Sequence, residues 1–295
     1  MNQQSIEQLL AYTIPVYAVV ILAEIIVSFI FEKHYYKAKD TITNAYLTSL
    51  NFGFDVLMRG LGIIILGFFY QYHFFDIKNP YVYWISLLIL EDFMFYWEHR
   101  IDHSSRFFWA VHVTHHSSEY YNITTGFRSS VFQPLYRFIY FIPLALAGFN
   151  YWDIMFMYAA TQIYGVLIHT RNVKSLGIFE YFMATPSHHR VHHASNVKYL
   201  DKNMGMVFII WDKLFGTFIK EDNSDEPMKY GLTKPIDRPH HPKDIVFHEW
   251  ENIVSDLRRP LPLKTKLKYV FMAPGWSHDG SSKTSKQLQA ELKNR

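Results

Sequence analysis

ILEDFMFYWEHRIDH, residues 89–103, opens as an apolar helix and closes on two histidines four apart. At 100° per residue, His99 and His103 each lie within about 20° of Asp92, and Tyr96 lies about 60° from His99. Imidazole is the commonest protein metal ligand, and residues at i, i+3 and i+4 share a helix face. The same logic holds at two more bunches, HVTHH (112–116) and SHHRVHH (187–193). They contribute His112, His115, His116, then His188, His189, His192 and His193, with His169 standing alone between them. Ten of the 16 histidines thus fall within residues 99–193. A four-coordinate ion does not need ten imidazoles; the number suits two ions with a nearly all-nitrogen shell. Without metal, so many buried imidazoles would repel one another on protonation. His34, His73, His240, His241, His248 and His278 lack the spacing and are read as non-ligands. A metal-bound imidazole gives its other N–H to a carboxylate or carbonyl. Asp92, Tyr96, Asp102 and Glu119 are the supporting groups expected behind the ligands, with Glu98 a further acceptor. Asn122, Thr124 and Arg128, close after the second bunch, are expected to orient a histidine or hold a substrate headgroup.

Outward from this helix the chain is apolar. Runs near 12–31, 52–74, 80–98, 131–149 and 151–169 approach the ~20 residues that cross a bilayer. Aromatics make up 18% of the 295 residues and charged residues 19%, below the roughly 25% of soluble domains. Tyr and Trp gather near the ends of the runs, as an interfacial belt requires. The fold expected is all-α, a polytopic membrane bundle of four to five helices under a cytoplasmic, histidine-rich di-metal cap. Lys33, Lys37 and Lys39 place 32–44 in the cytoplasm by the positive-inside rule. Every histidine bunch then falls on that face. The division expected is 1–98 as membrane helices, 99–219 as the metal region with a membrane hairpin at 131–169, 220–276 as a cytoplasmic segment and 277–295 as a disordered tail. Residues 204–218 read as a helix under the metals or in the interface.

With no cysteine, disulfides, thiolate ligands and Cys nucleophiles are excluded. A net charge of +3 without a basic, aromatic-interleaved stripe excludes nucleic acid as the expected partner.

The histidine boxes, with HVTHHSSEYYNITT, IHT, TPSHHRVHH, DKNMG, IIWDKLFGTF and YGLTKPI, resemble the fatty acid hydroxylase / sterol desaturase superfamily, and within it the alkylglycerol monooxygenase branch and its bacterial relatives. The resemblance runs from about Asp92 to Pro235, with an echo at APGW (273–276). It implies an integral membrane di-iron oxygenase in a bacterial inner or ER-like membrane, with O2 as oxidant and a lipid as substrate. It carries the ligand role to His99, His103, His112, His115, His116, His169, His188, His189, His192 and His193, which zinc would also suit. After the second histidine of the first box the animal ether-lipid enzymes have a glutamate tied to tetrahydrobiopterin use; this chain has Ser104. An external electron donor is expected, either tetrahydrobiopterin or a protein of cytochrome b5 or ferredoxin type. The alternatives are a desaturase on the same scaffold, a membrane metal-binding or transport protein, and a metal-dependent hydrolase. Transport would spread ionisable groups along the spans, whereas here they gather at one face.

Overall fold

The computed structural model describes residues 1–222, 224 and 226–294. Among them, twelve α-helices and three 3-10 turns leave no strand, only isolated bridges joining Met183 to Phe208 and Ala194 to Tyr230. The helices are α1 (Gln3–Ile30), α2 (Ala38–Tyr70), α3 (Pro80–Ser104), α4 (Arg106–His116), α5 (Ile123–Gly126), α6 (Arg137–Leu146), α7 (Tyr151–Leu167), α8 (Pro186–His193), α9 (Ile210–Phe215), α10 (Pro242–Arg258), α11 (Leu263–Phe271) and α12 (Ser285–Lys293).

Only α1 and α2, among the described residues, are both long and apolar enough to cross a membrane. At 1.5 Å per residue α2 is ~50 Å long, more than the ~30 Å of a bilayer's hydrocarbon layer. Its first turns are covered by protein, with Asp40, Thr43, Asn44 and Leu47 buried, whereas Phe52, Leu57, Leu61, Ile64 and Phe68 further along are exposed. The helix begins earlier than the apolar run suggested, so half of the basic 32–44 link is helical.

Asn79 caps α3, its side chain accepting from the Tyr81 and Val82 N–H groups, and Pro80 takes the first-turn position where its missing N–H costs nothing. The starts of α1, α3 and α7 meet the end of α2 at one pole. There Asp153 binds both the N-terminal amine and the Tyr83 hydroxyl, and Tyr70 packs edge-on against Tyr151. Leu66, Leu87, Phe138, Phe141, Leu144, Ile154 and Met155 form the core around this end. The histidine-bearing ends of α3 and α7 lie at the opposite pole.

Three expectations change. The first arm of the 131–169 hairpin is a 3-10 turn at Gln133–Leu135 followed by α6, only 10 residues or ~15 Å long. It turns at Gly148, whose φ of +100° and close approach to the Phe75 carbonyl admit no side chain. Within 204–218 only α9 is helical, closed by Gly216 in the left-handed region. The 277–295 tail carries α12, begun by a Thr284/Gln287 capping box, and Gln289 Nε2 donates to the Val197 and Leu200 carbonyls.

Candidate metal centre

The end of α3, all of α4 and α8, and the residue after α7's cap bring nine histidines together in two nests. His99, His103, His112, His116 and His192 form the first; His115, His169, His189 and His193 form the second. Within each nest the ligand nitrogens lie within 4.8 Å of one another. The nests share a wall, with His116 stacked on His193 at 4.5 Å between ring centroids. Eight of the nine are buried and His115 is half-buried.

The backbone sets which nitrogen faces inward. His99 Nδ1 donates to the Met204 carbonyl at 2.8 Å and His192 Nδ1 to that of Lys202 at 3.0 Å. His115 Nδ1 donates to the Arg128 carbonyl at 3.0 Å, and His169 Nδ1 to Gly165 at 2.7 Å. Each of these rings therefore presents a bare Nε2 lone pair inward. His99 Nε2 faces His112 Nε2 at 3.2 Å, and His112 Nε2 faces His116 Nε2 at 3.1 Å. In the second nest His169 Nε2 lies 2.9 Å from His189 Nε2, 3.1 Å from His193 Nε2 and 3.4 Å from His115 Nε2. His103 Nε2 and His192 Nε2 are buried with no hydrogen-bond partner. Buried polar atoms are normally paired, and lone pairs facing one another without water repel. A cation in each nest removes both problems, so the donor set fits two ions. Burial, and after it the neighbouring imidazoles, push the protonation of His112, His116, His192 and His193 well below the ordinary range. His115 falls to about 4, again chiefly through burial. The neutral ring is the ligating form.

The other expected residues divide. Asp102 lies behind the first nest, its Oδ2 3.7 Å from His112 Nδ1, and also accepts from the Tyr136 hydroxyl and Gln133 Nε2. Buried Glu98 shares Gln133 Nε2 with it. His188 stays outside both nests. As the third residue of α8 its Nδ1 takes part in the cap with Thr185, and its ring lies a hundred degrees from His189. Asp92 supports no histidine: its carboxylate accepts from the Val207 and Phe208 N–H groups and from Trp211 Nε1. Tyr96 bonds Thr217 and Arg100 instead of a ligand. Glu119 is exposed. Asn122 caps α5 and Thr124 bonds it. Arg128 is fully buried, reaching Asp40 and the Thr114 carbonyl, and acts on the site only through its own carbonyl to His115.

Sequence reasoning missed Asp201, whose Oδ1 lies 3.3 Å from His103 Nδ1. It missed the supporting carbonyls too. A cavity of about 870 Å³ reaches the centre from the polar side, with His103, His116, His192, His193, Trp109 and Asp201 in its wall.

Residues 84–217, which contain both nests, match the Fatty acid hydroxylase family model. Among individual proteins, the chain is similar to alkylglycerol monooxygenase of Homo sapiens, at 40% identity over 65% of this chain and 42% of that protein. It is also similar to alkylglycerol monooxygenase of Xenopus tropicalis, 33% identical over 82% of this chain and 54% of the relative. Ornithine lipid hydroxylase OlsE of Rhizobium tropici is 31% identical over 50% of this chain and 46% of its own length. The chain spans about half the length of these relatives. No solved structure matches it significantly.

Proposed function

We propose that the protein is a multi-pass membrane oxygenase, its centre on the cytoplasmic face, that uses two iron ions and O2 to hydroxylate a lipid C–H bond. The observation that carries this is the pair of Nε2 nests. His99, His103, His112, His116 and His192 would hold one iron, and His115, His169, His189 and His193 the other. Bound iron supplies the activation of O2. An all-imidazole site of this kind also suits zinc, but two adjacent ions fit oxygen activation better than a structural role. The relatives' names, alkylglycerol monooxygenase and ornithine lipid hydroxylase, support an amphiphilic lipid as substrate.

The chain's own part is orientation and exclusion. The carbonyls of Arg128, Gly165, Lys202 and Met204 hold the Nδ1 protons outward, so the rings cannot flip to the other tautomer. Trp109, 5.1 Å from the His103 ring and 5.5 Å from that of His116, screens the first nest. The polar cavity gives an external electron donor its route from the aqueous side.

The test is metal analysis of the detergent-purified protein with a Mössbauer spectrum, beside the His115→Ala variant. About two coupled non-haem irons per chain are expected. The variant is expected to insert into membranes normally and to lose turnover. Oxygenase activity retained by His115→Ala, or stoichiometric zinc that iron cannot replace with gain of O2 consumption, would overturn the reading.

A further inference from the structure

The helix α11 (LKTKLKYVF, 263–271) has two unlike faces. Leu263, Leu267 and Phe271 recur every four residues and are 72%, 48% and 57% exposed. At 100° per residue they form one stripe, with Lys264 and Lys268 along one edge and Lys266 along the other. Tyr269, on the opposite face, is buried. The helix contains no acid. Beside it α10 exposes Phe247 and Val254, and the Phe107 ring joins the two helices, 5.2 Å from Trp250 and 6.2 Å from Phe271. Apolar surface of this extent is uncommon on a face that meets only water.

Its height in the molecule says what covers it. From the pole where α1, α3 and α7 begin, the 25 residues of α3 run ~38 Å, past the ~30 Å hydrocarbon layer and into the headgroups. There Arg106, the first residue of α4, donates its N–H to the Met272 carbonyl at 2.9 Å and its Nη1 to the Tyr269 carbonyl at 3.3 Å. This ties α11 to headgroup level. Phe54, near the point where α2 turns lipid-facing, meets Phe132 at 5.6 Å, which meets Phe247 at 5.8 Å. Both helices therefore stand where the bundle leaves the membrane. An apolar stripe edged by lysines on both sides buries its centre in the acyl boundary while the ammonium groups snorkel to anionic headgroups.

We propose that α11, with Phe247 and Val254 of α10, lies in the headgroup layer of an anionic leaflet and seats the metal-binding cap on the membrane. This rests on the membrane reading of α1 and α2. Through Arg106 the same contact holds the start of α4, which carries His112, His115 and His116.

The chain has no cysteine, so one introduced thiol labels cleanly. The full-length, metal-loaded Leu267→Cys variant would carry an environment-sensitive fluorophore in nanodiscs of phosphatidylcholine, with or without phosphatidylglycerol. Leu57→Cys, on the lipid-facing part of α2, is the control. The Leu57 label is expected to be deep in both discs. The Leu267 label is expected to shift to the blue and to be quenched by headgroup-level spin labels, its buried fraction rising severalfold with the anionic lipid. K264Q/K266Q/K268Q should abolish that rise. A Leu267 label in water in both discs overturns the proposal and leaves the face to a protein partner. Burial indifferent to anionic lipid or to the lysines also overturns it. A Leu57 label in water would instead remove the membrane reading, and this proposal with it.

Discussion

His169 is the hub of the second nest, and Gly126 is why it fits. A Cβ at Gly126 would stand 2.9 Å from His169 Nδ1 and 3.1 Å from the Val166 Cα, so neither a ring flip nor a backbone shift makes room cheaply. The same Nδ1 donates to the Gly165 carbonyl at 2.7 Å, and its Nε2 faces three other imidazoles. Gly126→Ala should push the ring off this bond and weaken the second metal about 10–100-fold, the usual cost of disturbing a ligand's support. The first nest, which Gly126 does not touch, should keep its ion. Metal titration followed by ICP-MS on wild type and variant decides it; equal stoichiometry and affinity at both nests would contradict the argument. His188 teaches the converse. It sits in the same H-H-x-x-H-H string as three members of the nests, His189, His192 and His193, yet the Thr185 cap claims its nitrogen.

At the scale of elements, the segment after α8 works as a splint. Asp212 accepts from the Met204 and Gly205 N–H groups, and Asp92 from those of Val207 and Phe208. The two carboxylates fix a loop whose carbonyls at 202 and 204 orient His192 and His99. Asp92→Asn turns an amide NH2 toward backbone donors and should cost about 1–3 kcal/mol. Hydrogen exchange at residues 203–208 should quicken, and the first nest should lose metal before the second. Unchanged exchange there would refute the splint. This loop marks the limit of what the sequence makes legible. The helical spacing of the boxes was enough to single out eight of the nine histidines that the fold gathers into the two nests, because i, i+3, i+4 geometry is local. The wheel also put Asp92 on the inward face, but its partner is a loop more than a hundred residues away, and a backbone carbonyl has no side-chain signature. The apolar run at 131–149 yields only a short helix because its start, with Pro134, is a 3-10 turn, although hydropathy counts the run as continuous. The tail was underread although Thr284 and Gln287 have the spacing of a capping box.

At the scale of the molecule, the imidazoles gather their charge states into one pH response. Burial, and then mutual repulsion, hold His99, His112, His116, His189, His192 and His193 well below their ordinary range, and His115 at about 4. In the unfolded chain each titrates near 6.5. Above that value neither state binds these protons, and the group adds no slope. Below it the unfolded chain takes up protons that the folded, metal-stripped protein refuses, so stability falls as the pH falls. Burial raises the carboxyls of Asp102 and Asp212, which pull the opposite way, since the folded protein keeps protons there that the unfolded chain has lost. The lowered imidazoles outnumber the raised carboxyls, so the acid-side loss should dominate. The melting temperature of metal-stripped protein in detergent should drop steeply as the pH falls below about 6.5. The metal-loaded protein should resist until its ligands compete with protons, and so hold its midpoint to lower pH. Melting curves of the two forms across that range test both parts. A metal-stripped midpoint that rises on acidification, or two forms that fall together, would mean that the nests do not govern the acid stability of the fold.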